Sequence, residues 1–293
     1  MNKFLKIAII QPSANNIVAW NKYNPLFPRM DIFEAARIWR QIHIALSQYI
    51  NIDVSSRPDI ILIPELNIAR QYELQIKKIA NKLGTIIIGG LDYKEKNNLI
   101  RNSAIVCIPN RWPHDNGLTI GKSFLFGKKL PSRREDEYIK SKNGSWDPCN
   151  NFYLLDLGNY GKVGLAICAD FYDIERYVIY KGRIQHLFIL AFNQDIKSFY
   201  FLAESISRLV YCNVVICNTG YYGGSVCFSP AKEDYKRYIY KHEGQDIFTS
   251  QIVELPVESL WKAQCGDSDS MKKYKSPPPG YKYHYKENNT PKK

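Results

Sequence analysis

Short apolar runs rich in β-branched residues alternate along this chain with stretches whose apolar residues recur at helical spacing. The runs at residues 59–63, 85–88, 104–108, 123–126, 162–167, 187–190 and 213–217 predict strands. Between them, Ile32, Ala36, Trp39, Ile42, Leu46 and Tyr49 form one helical stripe. Phe199, Leu202, Ile206 and Leu209 form another, which begins just after Asp195, a residue suited to capping a helix. Such alternation predicts sheets covered by helices, with the stripes facing the core.

Three of the predicted strands end on chemistry. The run Lys162–Ile167 leads into Cys168, and Ala169-Asp170-Phe171-Tyr172-Asp173 then has the character of a helix start. A thiol at a strand-to-helix junction lies among unpaired N–H groups that stabilise a thiolate or an oxyanion. Strand alternation puts Gly164 and Ala166 on the same face as Cys168, which would leave room for a substrate. The run that starts at Asp59 closes on Pro64-Glu65, a carboxylate expensive to bury without a partner. The run from Ser123 ends in Lys128-Lys129, followed by Pro131, Ser132 and Glu135. A thiol, a carboxylate and an amine at three strand ends point to one site.

With these motifs in this order the chain resembles the nitrilase superfamily, the carbon–nitrogen hydrolases. Ile7-Ala8-Ile9-Ile10-Gln11-Pro12 resembles the family's first strand, Pro64-Glu65-Leu66 its general-base motif and Ile167-Cys168-Ala169-Asp170 its nucleophile motif. Ala191-Phe192-Asn193-Gln194-Asp195, Asn218-Thr219-Gly220, Gly223-Gly224-Ser225 with Ser229-Pro230, and Ile252-Val253-Glu254-Leu255 continue the match, to about residue 262. The resemblance implies a four-layer α-β-β-α sandwich and hydrolysis of amide-type bonds through a thioester. Glu65 would be the base, Lys128 the oxyanion partner and Cys168 the nucleophile. Glu135 would position the lysine or substrate, and Asn193 would line the pocket mouth. Family members commonly carry a histidine two residues after the lysine, and this chain does not, so Lys129 stands as the alternative to Lys128. Nitrile hydrolases of the family typically have Trp-Glu after the cysteine, where this chain has Ala169-Asp170, which favours amides as substrates. No cofactor is implied. The resemblance also implies a homodimer or a higher even-numbered assembly, built through helices that start near Asp173 and Asp195 and through the segment around Trp261.

With 293 residues, 45% of them hydrophobic, the chain can bury a large core in one domain, expected over residues 1–264. Seven cysteines without paired spacing suit reduced thiols in a cytoplasm, and the sequence predicts neither a signal peptide nor a membrane-spanning run. No second, synthetase-like region accompanies the hydrolase pattern. The net charge of +12 is concentrated partly in residues 265–293, a Lys/Tyr-rich stretch around Pro277-Pro278-Pro279 that is expected to be a solvated tail or an interaction arm. A basic surface keeps open a second function, a nitrilase-fold module associated with nucleic acid or a partner protein. Such domains are known attached to reverse transcriptases in bacterial defence systems.

Overall fold

Each apolar run named above falls in a strand, and the strands gather into two sheets. The structure, a computed structural model, describes residues 1–282 except 22, 27, 115–120 and 142. The first half holds β1 (Phe4–Gln11), β2 (Ile60–Ile68), β3 (Ile86–Lys96), β4 (Leu99–Ile108), β5 (Lys122–Gly127) and β6 (Ser145–Trp146). The second holds β7 (Leu154–Asp156), β8 (Lys162–Ile167), β9 (His186–Ala191), β10 (Asn213–Asn218), β11 (Ser225–Phe228), β12 (Tyr238–His242) and β13 (Thr249–Pro256). One sheet runs β13-β1-β2-β3-β4-β5 with β6 beside β4, and the other runs β12-β11-β10-β9-β8-β7. The centre of each is parallel, β1 to β3 in one and β8 to β10 in the other, so β2, β8 and β9 release the chain at one end of the stack.

Side chains alternate across a strand, and the two faces of the first sheet pack against different partners. Ile7, Ile9, Ile60 and Leu62 face the second sheet and pack with Leu165, Leu187 and Val214. Ala8, Ile10, Ile61 and Ile63 face outward, beneath α2 (Ile32–Asn51) and α3 (Glu73–Leu83). The second sheet is covered by α5 (Ile174–Tyr180) and α6 (Ile196–Ile206), after α1 (Asn16–Ala19) and α4 (Arg133–Lys140) earlier in the chain. The result is an α-β-β-α sandwich, as expected.

Two stripes differ from the sequence pattern. On α2, Ile32 and Ala36 are exposed, and the buried line runs through Ala35, Ile38, Ile42, Ala45 and Leu46 to Tyr49. After α6 the chain makes a π turn over Ser207–Tyr211, closed by Cys212 N–H on the Ser207 carbonyl. Its extra residue rotates the register, so Leu209 faces solvent and Val210 and Tyr211 go inside.

The stretch from residue 265, expected as a solvated tail or an arm, is laid on the domain as far as it is described. After α7 (Glu258–Gln264) and α8 (Ser268–Met271), Tyr274 bridges to Ala231 and packs with Tyr211 and Leu260. The Tyr211 hydroxyl donates to the Lys275 carbonyl, and the Tyr281 ring meets that of Tyr211 edge to face. The aromatic residues of this segment bury enough apolar surface to hold it. Residues 283–293, the remainder of the basic tail, lie outside the described residues. Among the described residues no helix is long and apolar enough to cross a membrane.

Candidate active site

Three local irregularities carry Glu65, Lys128 and Cys168 to the same point. β2 loses register with β3 between Ile63 and Ile68, where Pro64 has no N–H to give the ladder and Leu66 adopts φ 59°. The bulge turns Glu65 inward. On β3, Gly90 lies so close to it that a Cβ would stand 2.3 Å from the Glu65 Cα, which only glycine avoids. Lys128 is the first residue after β5, its N–H still donating to the Asn102 carbonyl. Cys168 follows β8 directly in a left-handed conformation, φ 43°, at the head of a 3₁₀ turn over Cys168–Tyr172.

The side chains meet in a buried network. Lys128 Nζ donates to Glu65 Oε1 at 2.7 Å and to Glu135 Oε2 at 2.6 Å. Asn102 Nδ2 donates to the same Glu65 oxygen at 2.7 Å and to Glu135 Oε1 at 3.0 Å, and the Tyr93 hydroxyl donates to that Glu135 oxygen at 2.9 Å. Glu65 Oε2 accepts the Phe192 N–H at 2.9 Å, and Glu65 and the Cys168 thiol lie within reach of each other's charge. Glu135 also closes a capping box with Ser132 at the start of α4, so one carboxylate fixes both the helix and the lysine.

Burial and neighbouring charges drive the two carboxylates apart. Burial raises Glu65 above its ordinary pKa, Lys128 opposes this and the Glu135 charge adds to it. Burial pushes Glu135 the same way, but the Lys128 charge and hydrogen bonds from Lys128, Asn102 and the Ser132 N–H outweigh it and hold that carboxyl below its usual value. For Lys128 the cost of burial is overcome by Glu135 and Glu65, and the ammonium is held well above its ordinary value. Glu135 is thus a standing counter-ion, whereas Glu65 has appreciable affinity for a proton. Cys168 is pushed up by burial and by the Glu65 charge, with Lys128 opposing, so the resting sulfur is a thiol beside a base.

All five residues singled out in the sequence lie here. Lys128 joins Glu65 and Glu135, Cys168 lies beside them in the same cleft, and Asn193 lines the mouth, its Nδ2 bonded to the Asp195 carbonyl. Lys129 points away, to Asp173 and Glu175. One expectation about the cysteine needs correction: the segment that follows it is a short 3₁₀ turn, not an α-helix. Nor do Gly164 and Ala166 make room for substrate. A Cβ on Gly164 would come within 2.8 Å of the Tyr180 ring, and Ala166 is core.

Sequence reasoning missed the supports. Asp170 accepts the N–H groups of Lys129 and Leu130, at 3.0 and 2.8 Å, and pairs with Arg176, tying the loop after β5 to the loop after β8. Asp92 accepts the Trp20 indole N–H at 3.2 Å and the Met30 N–H at 2.6 Å, which fastens the loop before α2 over the site. Burial raises the Asp92 carboxyl to about 6 against these bonds. Asn102, at the centre of the network, gave no signal: it stands between Arg101 and Ser103, outside the apolar run 104–108.

Above the network opens a cleft of about 730 Å³, with Trp20, Tyr93, Tyr138, Phe192 and Tyr222 among its walls. Among the described residues no three His, Cys, Asp or Glu side chains are placed to hold a metal ion.

No protein-family model and no curated protein matches the sequence. Solved structures do match. Nit3 of Saccharomyces cerevisiae, a member of branch 10 of the nitrilase superfamily, superposes with a TM-score of 0.63 over 92% of this chain and 96% of its own, at 14% identity. A CN-hydrolase superfamily protein of Xanthomonas campestris, with an arsenic adduct in its active site, gives 0.62 over 92% and 97%, at 11% identity. An amidase from Nesterenkonia sp. gives 0.59 over 89% and 94%, at 14% identity. A variant of the Nesterenkonia amidase carries the acetamide moiety of fluoroacetamide covalently on its active-site cysteine. At these identities the likeness is one of fold: the chain has the nitrilase-type sandwich along nearly its whole length.

Proposed function

We propose that the protein hydrolyses amide-type carbon–nitrogen bonds through a thioester on Cys168. The observation that carries this reading is the convergence of Cys168, Glu65 and Lys128 in the lining of one cleft, where Glu65 accepts the Lys128 ammonium at 2.7 Å. Glu65 takes the thiol proton as sulfur attacks the carbonyl carbon, and the Lys128 ammonium faces the oxygen that gains the charge. As the tetrahedral intermediate collapses, the C–N bond breaks and Glu65 returns the proton to the departing amine. Water then enters, gives its proton to Glu65 and adds to the thioester carbon. The C–S bond breaks, the carboxylic acid leaves and the thiol is restored. The amidases among the structures of like fold, one with a covalent adduct on its cysteine, support the same chemistry.

Intact-mass detection of an acyl-enzyme after incubation with a panel of amides tests the proposal. Glu65→Gln cannot accept the thiol proton, and acyl-enzyme formation is expected to slow by about 10²–10⁴-fold, the usual contribution of a positioned base. Normal accumulation in that variant would remove Glu65 from its role.

Two copies of the chain are proposed to pair through α5. Arg176, Tyr177 and Tyr180 face inward, while Ile174 and Val178, four residues apart, are 76% and 73% exposed. Light scattering that gave a monomer mass at micromolar concentration, with full amidase activity, would reject pairing.

A further inference from the structure

The cleft is far larger than a primary amide group requires. Its volume of about 730 Å³ lies in the range that accepts ligands of drug-like size. One wall is a chain of aromatic rings in edge-to-face contact. Tyr93 meets Trp20 at 6.3 Å, Trp20 meets Phe192 at 5.3 Å and Phe192 meets Tyr222 at 5.5 Å. The wall is anchored from behind: the Trp20 indole donates to Asp92, its carbonyl accepts from the Tyr138 hydroxyl, and the Phe192 N–H is held by Glu65. A rigid aromatic surface that begins at the network around Lys128 suits a planar, apolar body extending from the scissile amide toward the mouth.

Charge at the mouth is not balanced. Arg133 and Arg134 open α4, where the helix dipole disfavours cations. Arg133 pairs with Glu137 at 2.8 Å. Arg134 instead donates to Gln194 Oε1, a neutral acceptor, at 2.7 Å, and among the described residues it forms no ion pair with a carboxylate. Its charge reaches the Tyr222 hydroxyl at the end of the aromatic wall, which burial pushes upward and which Asn16 and, more weakly, Arg134 pull the other way. Asp195, the nearby carboxylate on the cleft, is occupied in capping α6 through the Ser198 N–H. A guanidinium held by a neutral amide, at the outer end of an aromatic wall, is arranged to receive an anion from the ligand.

We propose that the substrate is an amide with a planar, apolar body and a carboxylate at the end remote from the scissile bond, and that Arg134 binds that carboxylate. This rests on the reading of Cys168 as the acyl acceptor, which sets the inner end of the ligand.

The test uses isosteric pairs, 4-carbamoylbenzoate and 4-(carbamoylmethyl)benzoate against the corresponding neutral dicarboxamides. Binding is measured by calorimetry on the Cys168→Ala protein, where no turnover intervenes. The carboxylates are expected to bind at least roughly tenfold more tightly than their neutral partners, the discrimination that a charge-assisted hydrogen bond supplies. Arg134→Gln in the same background should remove most of that preference, and Arg134→Lys should keep part of it. Equal binding of the two members, a preference that survives Arg134→Gln, or no binding of either series would overturn the inference. In parallel, the wild-type protein is incubated with the same compounds and weighed. Charge preference without an acyl-enzyme would leave the carboxylate subsite standing and sink the hydrolase reading, while acylation without charge preference would do the reverse.

Discussion

Cys168→Ala is expected to abolish acyl-enzyme formation and lower amide turnover on the order of a million-fold, the scale seen when a nucleophile is removed. The fold should survive. Cys168 adopts φ 43°, a conformation that costs any residue with a Cβ, and alanine bears that cost as cysteine does. The thiol is neutral at rest, because burial and Glu65 raise its pKa, so its removal strands no charge. What is lost is one sulfur at the floor of an open cleft, about 1 kcal/mol or less of packing. Melting temperature should fall by only a few degrees while the acyl adduct disappears from the mass spectrum. Turnover at the wild-type rate would take Cys168 out of the mechanism, and a collapse in melting temperature would mean that the thiol is structural.

The strand ends were legible for a physical reason. Glu65, Lys128 and Cys168 each interrupt an apolar run, and a charged or reactive group at such a position must find a partner, so their convergence could be argued before any coordinates. Lys128 could be separated from Lys129 only in three dimensions: one ammonium is sealed between two carboxylates and the other reaches Asp173 and Glu175 near the surface. Asn102, Tyr93 and Asp170 were not legible, because each acts on a partner distant in sequence. The Tyr93 hydroxyl, for example, is committed to a carboxylate 42 residues on. Gly164 misled because a missing side chain looks the same whether substrate or a Tyr180 ring fills the space. Leu209 misled because helical periodicity assumes a constant number of residues per turn, and the π turn breaks it.

Lys128→Met should be the most damaging single change to stability as well as to activity. The side chain is sealed, with one carboxylate 2.7 Å away and another at 2.6 Å, and methionine keeps its bulk without its charge. Glu65 and Glu135 would then share Asn102 as a donor with no cation between them. Breaking a buried ion pair in this way costs about 3–5 kcal/mol at neutral pH, because the remaining charge is uncompensated. Turnover should be lost as well, since nothing else in the network can face a developing oxyanion with a positive charge. The pH dependence separates this cause from lost packing. In the wild type Glu135 is held below its unfolded value, so its contribution to stability is present above the ordinary glutamate range and is lost as pH falls through its folded pKa. In the variant the cation that lowered it is gone, and burial and mutual repulsion raise both carboxyls. Stability is then lost as pH rises through those raised values and regained as pH falls. The gap in denaturant midpoint between variant and wild type should therefore narrow steadily from pH 8 toward pH 5, roughly the span over which a buried carboxyl with raised pKa takes up its proton. A gap of the same size at both ends would show that methionine merely packs badly, and that Lys128 is not the charge that holds this site together.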